Sequence, residues 1–300
     1  MNTIIPAADC DYIEIKKLIG RLTERYPFLS SRSIGRTTAG RDIFCLEIGK
    51  SHDPVLIAAA FHGSEHITAN IALLFAEQLC MALEKGDEIT GMDARNAFFG
   101  RSLLIVPLMN PDGCEVSVRG EAGAGYMASK IRRLCGGDFS HWNANLRGID
   151  LNHNFSAGWK ELHRLEQQSG IFGPGPTRYG GPYPESEPET RALISLCREK
   201  KPRHVVALHS QGRVIYWSFG EMKPDKSEKM AEIFAAESGY ALDVPSPIAS
   251  GGGFKDWFIA EFSRPGFTIE IGKGQNPLPA ERLYELYDEV AGVLSLASIM

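Results

Sequence analysis

Apolar residues recur at helical spacing within residues 12–26, where Ile13, Ile15, Leu18, Ile19 and Leu22 mark one face, so an amphipathic helix is expected to open the chain. Beyond it the period changes. Residues 41–48 read as a strand closed by Gly49, and 54–61 (PVLIAAAF) form an unbroken apolar run, the pattern of a central strand covered on both faces. Similar runs recur at 102–108, 204–208 and 266–271, while 68–83, 187–198 and 227–238 read as helices. Strands alternating with helices predict a layered α/β fold. No linker, repeat or low-complexity tract divides the chain, so a single domain spanning residues 1–300 is expected.

Composition narrows the function classes. At 43% hydrophobic and 23% charged, the chain has ample material for a large core. Its net charge of -5 is modest and its Lys and Arg residues are scattered, which argues against nucleic acid and membrane surfaces as partners. The first residues carry Asp9 and Asp11 and do not read as a secretory signal, and no apolar stretch reads as long enough to span a bilayer. The six cysteines (Cys10, Cys45, Cys80, Cys114, Cys135 and Cys197) lie far apart without a CxxC pair. They read as reduced thiols of a cytoplasmic protein.

Polar clusters punctuate the apolar runs where chemistry in α/β folds is usually placed, beyond strand ends. HGSE (62–65) follows the first run, NPDG (110–113) the second and HSQG (209–212) the third, while Glu270 lies near the end of the last. A catalytic zinc takes three protein ligands from His and carboxylate and leaves one position for water. His62 and Glu65, three residues apart, can converge on one ion, and His209 is the best placed of the remaining histidines to complete the set. Glu270 then suits a general base. HxxE alone is weak evidence and reads far more often as a polar turn; its position after an apolar strand, with a second histidine and a glutamate at equivalent strand ends, is what gives it weight.

HGSE, NPDG, GIDLNHNF (148–155), HSQG and FTIEIG (267–272) occur in the order found in zinc carboxypeptidases, which this chain resembles over most of its length. That resemblance implies a single-domain, twisted mixed sheet flanked by helices on both faces. It also implies one Zn2+ per chain on His62, Glu65 and His209, with Glu270 as base. HSQGRVIYW, SEPET (186–190) and FTIEIGKGQNPLP look most like the bacterial γ-D-glutamyl-L-diamino acid endopeptidases. The implied partner is a small murein peptide, cut between γ-D-glutamate and meso-diaminopimelate. Asn152 matches an asparagine that holds a substrate carboxylate, and Arg147 is the nearest arginine for the scissile carbonyl or a carboxylate, with Arg119, Arg132 and Arg133 as alternatives. Two positions depart from the pattern. His153 stands where carboxypeptidases carry an arginine, and an imidazole cannot clamp a carboxylate through two parallel hydrogen bonds. The loop tyrosine is missing, since 244–250 reads VPSPIAS.

Other residues carry double readings. Asp150 could orient a ligand histidine or stabilise a turn. His66 reads as structural or as a support behind the metal motif; His52, His163 and His204 as surface or strand-edge residues; His141 as exposed or substrate-facing. Residues 170–184 are too rich in Gly and Pro for a helix or central strand and form a long loop near the cleft or an inert excursion. Gly251, Gly252 and Gly253 lack the context of a phosphate loop. Two rival functions remain: an N-acyl amino acid deacylase with the same metal-site type, and a non-catalytic peptide-binding protein.

Overall fold

The apolar run 54–61 divides its side chains between two cores. Val55, Ile57 and Ala59 face one and Leu56 and Ala58 the other, as the two-residue period of a strand requires. The computed structural model describes residues 3–300 and sets this run inside an eight-stranded sheet. Its strands are β1 (Leu29–Arg36), β2 (Asp42–Gly49), β3 (Val55–Ala59), β4 (Ser102–Val106), β5 (His204–His209), β6 (Val214–Tyr216), β7 (Ala241–Leu242) and β8 (Gly266–Glu270). Their spatial order is β1-β2-β4-β3-β5-β8-β6-β7. The neighbours β4, β3, β5 and β8 run parallel, while β1 with β2, β2 with β4 and β8 with β6 are antiparallel.

Helices cover both faces, which is why the central strands are apolar without alternation. Tyr12–Arg25, Ile67–Lys85, Ser227–Ser238 and Leu283–Ile299 share one core, and Pro188–Lys200 and Phe254–Phe262 the other. The expected helices therefore form, with boundaries shifted by a few residues. The terminal helix Leu283–Ile299 was not among the expected ones, although Leu283, Leu286, Tyr287, Val290, Val293, Leu294 and Ala297 recur at helical spacing and are buried; its Gly292 lies where a Cβ would strike the side chain of Glu237. Gly63–Lys85 is long and apolar enough to cross a bilayer, contrary to the expectation drawn above. Most of it is buried among its neighbours, so core packing accounts for that apolarity.

The strand β3 stops before its apolar run does. Ala60 turns to φ 53°, and its N–H leaves the ladder to donate to Thr68 Oγ1 at 2.9 Å. That turn throws residues 62–65 over the carboxyl ends of β3, β5 and β8, where the parallel strands converge.

His204, at the start of β5, is not at an exposed edge. Its ring is 2% exposed and sits 2.9 Å from the Ala297 carbonyl. Burial pushes its pKa down from 6.5 to about 4, so the fold prefers the neutral ring. This contribution to stability is complete above pH 6.5 and is lost as pH falls from there through about 4. The stability advantage of wild type over His204→Gln should accordingly shrink by about 2–3 kcal/mol between about pH 7.5 and about pH 4.5. Urea unfolding measures it, and an unchanged gap would refute the buried neutral imidazole.

Candidate active site

Close backbone packing builds the turn that carries the first two site residues. Gly63–Glu65 is a single tight turn closed by the Glu65 N–H on the His62 carbonyl at 3.1 Å. Only glycine fits at 63, because a Cβ there would overlap the carbonyl oxygens of Gly113 and Trp142. Asn110 clamps the same region from below. Its side-chain oxygen accepts from the Gly113 N–H at 2.8 Å, capping helix Pro111–Arg119, while its amide donates to the carbonyls of Phe61 and Asn143 at 3.0 Å each.

His209 comes from the end of β5, and the three side chains meet. Nδ1 of His62 lies 2.7 Å from Glu65 Oε1, and Nδ1 of His209 lies 2.9 Å from Glu65 Oε2. One ligand atom from each falls within 4.8 Å of the others, and among the described residues no other trio of His, Cys, Asp or Glu does so. Behind His62, Asp150 Oδ1 takes Nε2 at 3.1 Å, the arrangement that fixes a ligand imidazole's tautomer. His209 has no such support: its Nε2 is buried without a partner, and its ring is held by stacking on Phe61 at 5.2 Å between centroids.

The electrostatics show how tightly this cluster is bound together. Burial works against charge on His62, yet Glu65 and Asp150 outweigh it and hold the imidazole well above its ordinary pKa. Burial likewise opposes ionisation of Glu65, but His62 and His209 bring the carboxyl down to about 2. Asp150 is held below the usual carboxylate range against its own burial, chiefly by His62 and His153. Two imidazoles and a carboxylate converging by their acceptor atoms form a donor set suited to zinc, which would take the place of protons the cluster otherwise needs.

Glu270 ends β8 as the register partner of His209, so both residues stand at the same level of adjacent parallel strands. Burial pushes its carboxyl up to about 7; His209 opposes that rise and Glu65 adds to it. A carboxyl in this range can both accept and return a proton. His62 and Glu270 line a recessed cleft of about 270 Å³, room for a piece the size of one amino acid.

The cleft receives some of the sequence-derived substrate residues and not others. Asn152 lines it, with its side-chain oxygen accepting from the Phe254 N–H at 3.1 Å, which leaves the NH2 to donate. His153 lines it too, its Nδ1 held by the buried Glu166 at 2.9 Å. Arg147 does not reach it: the guanidinium lies 3.2 Å from the buried carboxylate of Glu187, which draws it away. Arg119 and Arg132 are engaged by Glu115 and Glu121.

Sequence reading missed the cations that do line the cleft, Arg178 and Lys255. Lys255, 5% exposed, donates to Asp256 and to the Ser218 carbonyl. The signal was present in the glycines before it. A Cβ on Gly252 would collide with the backbone of His153, so the glycine turn packs directly on the Asn152–His153 stretch and delivers Lys255 to the same cleft. Tyr216, from β6, supplies a phenol at the wall that burial keeps protonated.

A model of the zinc carboxypeptidase family matches residues 15–291. The chain is 36% identical over 288 residues to gamma-D-glutamyl-L-diamino acid endopeptidase 1 of Lysinibacillus sphaericus, covering 94% of this chain and 70% of that protein. It is 25% identical to human carboxypeptidase B, over 82% of this chain and 58% of the other. Bovine thrombin-activatable fibrinolysis inhibitor, solved in complex with tick carboxypeptidase inhibitor, shares the fold at a TM-score of 0.73 and 21% identity, with 97% of each chain covered.

The contact between Asp150 and His62 is testable. Asp150→Ala should weaken zinc binding about 10–100-fold, and Asp150→Asn, which keeps an acceptor oxygen, by less. Competition against a chromogenic chelator reads the affinity; equal affinities in all three proteins would show that Asp150 does not orient the ring.

Proposed function

The chain belongs to the zinc carboxypeptidase family, and from that premise we propose that it hydrolyses the amide bond between γ-D-glutamate and a diamino acid in a peptidoglycan-derived peptide. The 36% identity to a named γ-D-glutamyl-L-diamino acid endopeptidase, maintained across 94% of the chain, is the observation that carries this substrate. The cleft chemistry supports it. Lys255 and Asp256 line the recess as an ion pair, offering a cation and an anion side by side. Diaminopimelate ends in an ammonium and a carboxylate on one carbon, the complement of such a pair.

His62, Glu65 and His209 are the residues that would hold one zinc ion. When bound, zinc lowers the pKa of a water molecule and polarises the scissile carbonyl. The chain supplies the rest. Glu270 takes the proton of the attacking water and hands it to the departing amine, a role its pKa near 7 suits. Asn152, fixed through the Phe254 N–H, presents its amide to a substrate carboxylate. His153, its ring held by Glu166, presents an imidazole in place of a guanidinium clamp, which relieves the site of the demand for a simple C-terminal carboxylate.

Family membership favours a peptidase over an N-acyl amino acid deacylase. A carboxyl poised beside the triad argues against mere peptide binding, which would give zinc-loaded protein that binds muropeptides and releases no amine. Replacing Glu270 by Gln should lower kcat on γ-D-glutamyl-diaminopimelate peptides by about 10²–10⁴-fold with zinc content unchanged. Products identified by mass spectrometry and zinc by atomic absorption decide it; a variant with near wild-type turnover removes Glu270 from the mechanism.

A further inference from the structure

The recess beside His62 and Glu270 is too small for more than one residue, so the remainder of any peptide must leave it. A second, wider groove of about 1000 Å³ adjoins it and shares Asn143, Thr177 and Arg178 with it. Its walls come from the loop 169–178 and from Cys135, Asp138 and His141. The loop has no regular structure but is strapped down. The Pro176 carbonyl accepts from the N–H groups of Asn143 and Ala144, both at 2.9 Å, and Gly175 donates to Gly148 at 3.0 Å.

Arg178 stands at the junction of the two spaces. Its backbone adopts φ 65°, an unfavourable conformation for a residue with a Cβ, and its N–H donates to Asp150 Oδ2 at 2.8 Å. The other oxygen of that carboxylate holds His62. One buried side chain thus sets both the metal-site imidazole and the arginine, fixing Arg178 relative to the reacting bond. Lys255 has Asp256 as its partner and Arg147 has Glu187, whereas the Arg178 guanidinium has no ion pair among the described residues.

We infer that Arg178 is a specificity residue that pairs with the free α-carboxylate of the γ-glutamyl residue, on the acyl side of the scissile bond. The inference rests on the substrate reading above and follows from the connectivity of a γ-linked glutamate. Its α-carboxylate and the amide that continues the chain leave from the same carbon, three carbons from the scissile carbonyl. A cation at the mouth of the groove addresses the carboxylate while the groove receives the continuing chain. In an α-linked glutamyl peptide the chain branches beside the scissile carbonyl instead, and the two groups part.

The test compares L-Ala-γ-D-Glu-diaminopimelate with its analogue bearing an α-carboxamide (D-isoglutamine). Wild type should favour the free carboxylate by roughly 10- to 100-fold in kcat/KM, the range expected of a charge-assisted hydrogen bond. Arg178→Gln should lose that preference by slowing the carboxylate peptide alone, and Arg178→Lys should restore part of it. Zinc content and Tm should stay at wild-type values. Equal slowing of both peptides by Arg178→Gln, or a preference that survives it, overturns the role of Arg178 while leaving the substrate reading intact. Wild-type protein that cleaves neither peptide overturns the substrate reading and this inference with it.

Discussion

The site depends on one constraint: Glu65 sits buried between two imidazoles whose near nitrogens both face it. A carboxylate out of water needs compensating charge or donors, and isolated burial of an ion is among the costliest arrangements a fold can hold. Here the compensation is mutual, with His62 drawn into its charged form and Glu65 held ionised. Such a cluster tolerates little movement. The surrounding structure is accordingly rigid, with Gly63 pressed on Gly113 and Asn110 tying three segments together. A divalent cation satisfies the same donors with fewer protons, which is the physical sense in which this arrangement fits zinc.

Asp150 extends that constraint outward. It holds His62 through one oxygen, accepts the N–H groups of Asn152 and Arg178, and donates its own N–H to the Tyr179 carbonyl. The His62 imidazole, the Asn152 stretch of the cleft wall and the loop that walls the groove therefore share a single buried carboxylate. Disturbing any one of these contacts changes the alternatives available to the others, because a lost partner leaves a buried charge less satisfied.

The convergence of His62, Glu65 and His209 beside Glu270 was legible in sequence because their placement is local. Each follows or ends an apolar run, and the ends of parallel strands are brought together by the sheet itself. The cations were illegible because their directions are set at long range. Arg147 is adjacent in sequence to the site stretch, yet Glu187, forty residues away, captures it. Arg178 lies in a Gly- and Pro-rich loop whose course depends on carbonyl contacts to 143–148, and its positive φ reverses the direction a periodic pattern would suggest. Lys255 was hidden differently. Its helix reads as apolar around Phe254, Trp257 and Phe258, and nothing in that spacing says that the one cation faces a cleft rather than solvent.

These charges also explain what His153 changes. With an arginine at that position, a leaving group would be recognised by its carboxylate at the inner end of the recess. Here the ring is anchored to Glu166, Lys255 is balanced by Asp256, and the recess carries little net positive charge of its own. The unbalanced cation has moved to Arg178, at the boundary between recess and groove. In the reading proposed above, charge selection shifts from the departing residue toward the acyl side, and the departing residue is left to a paired cation and anion. Such a site gains least from a terminus bearing a single carboxylate, and most from a substrate carrying charge on both sides of the bond it loses.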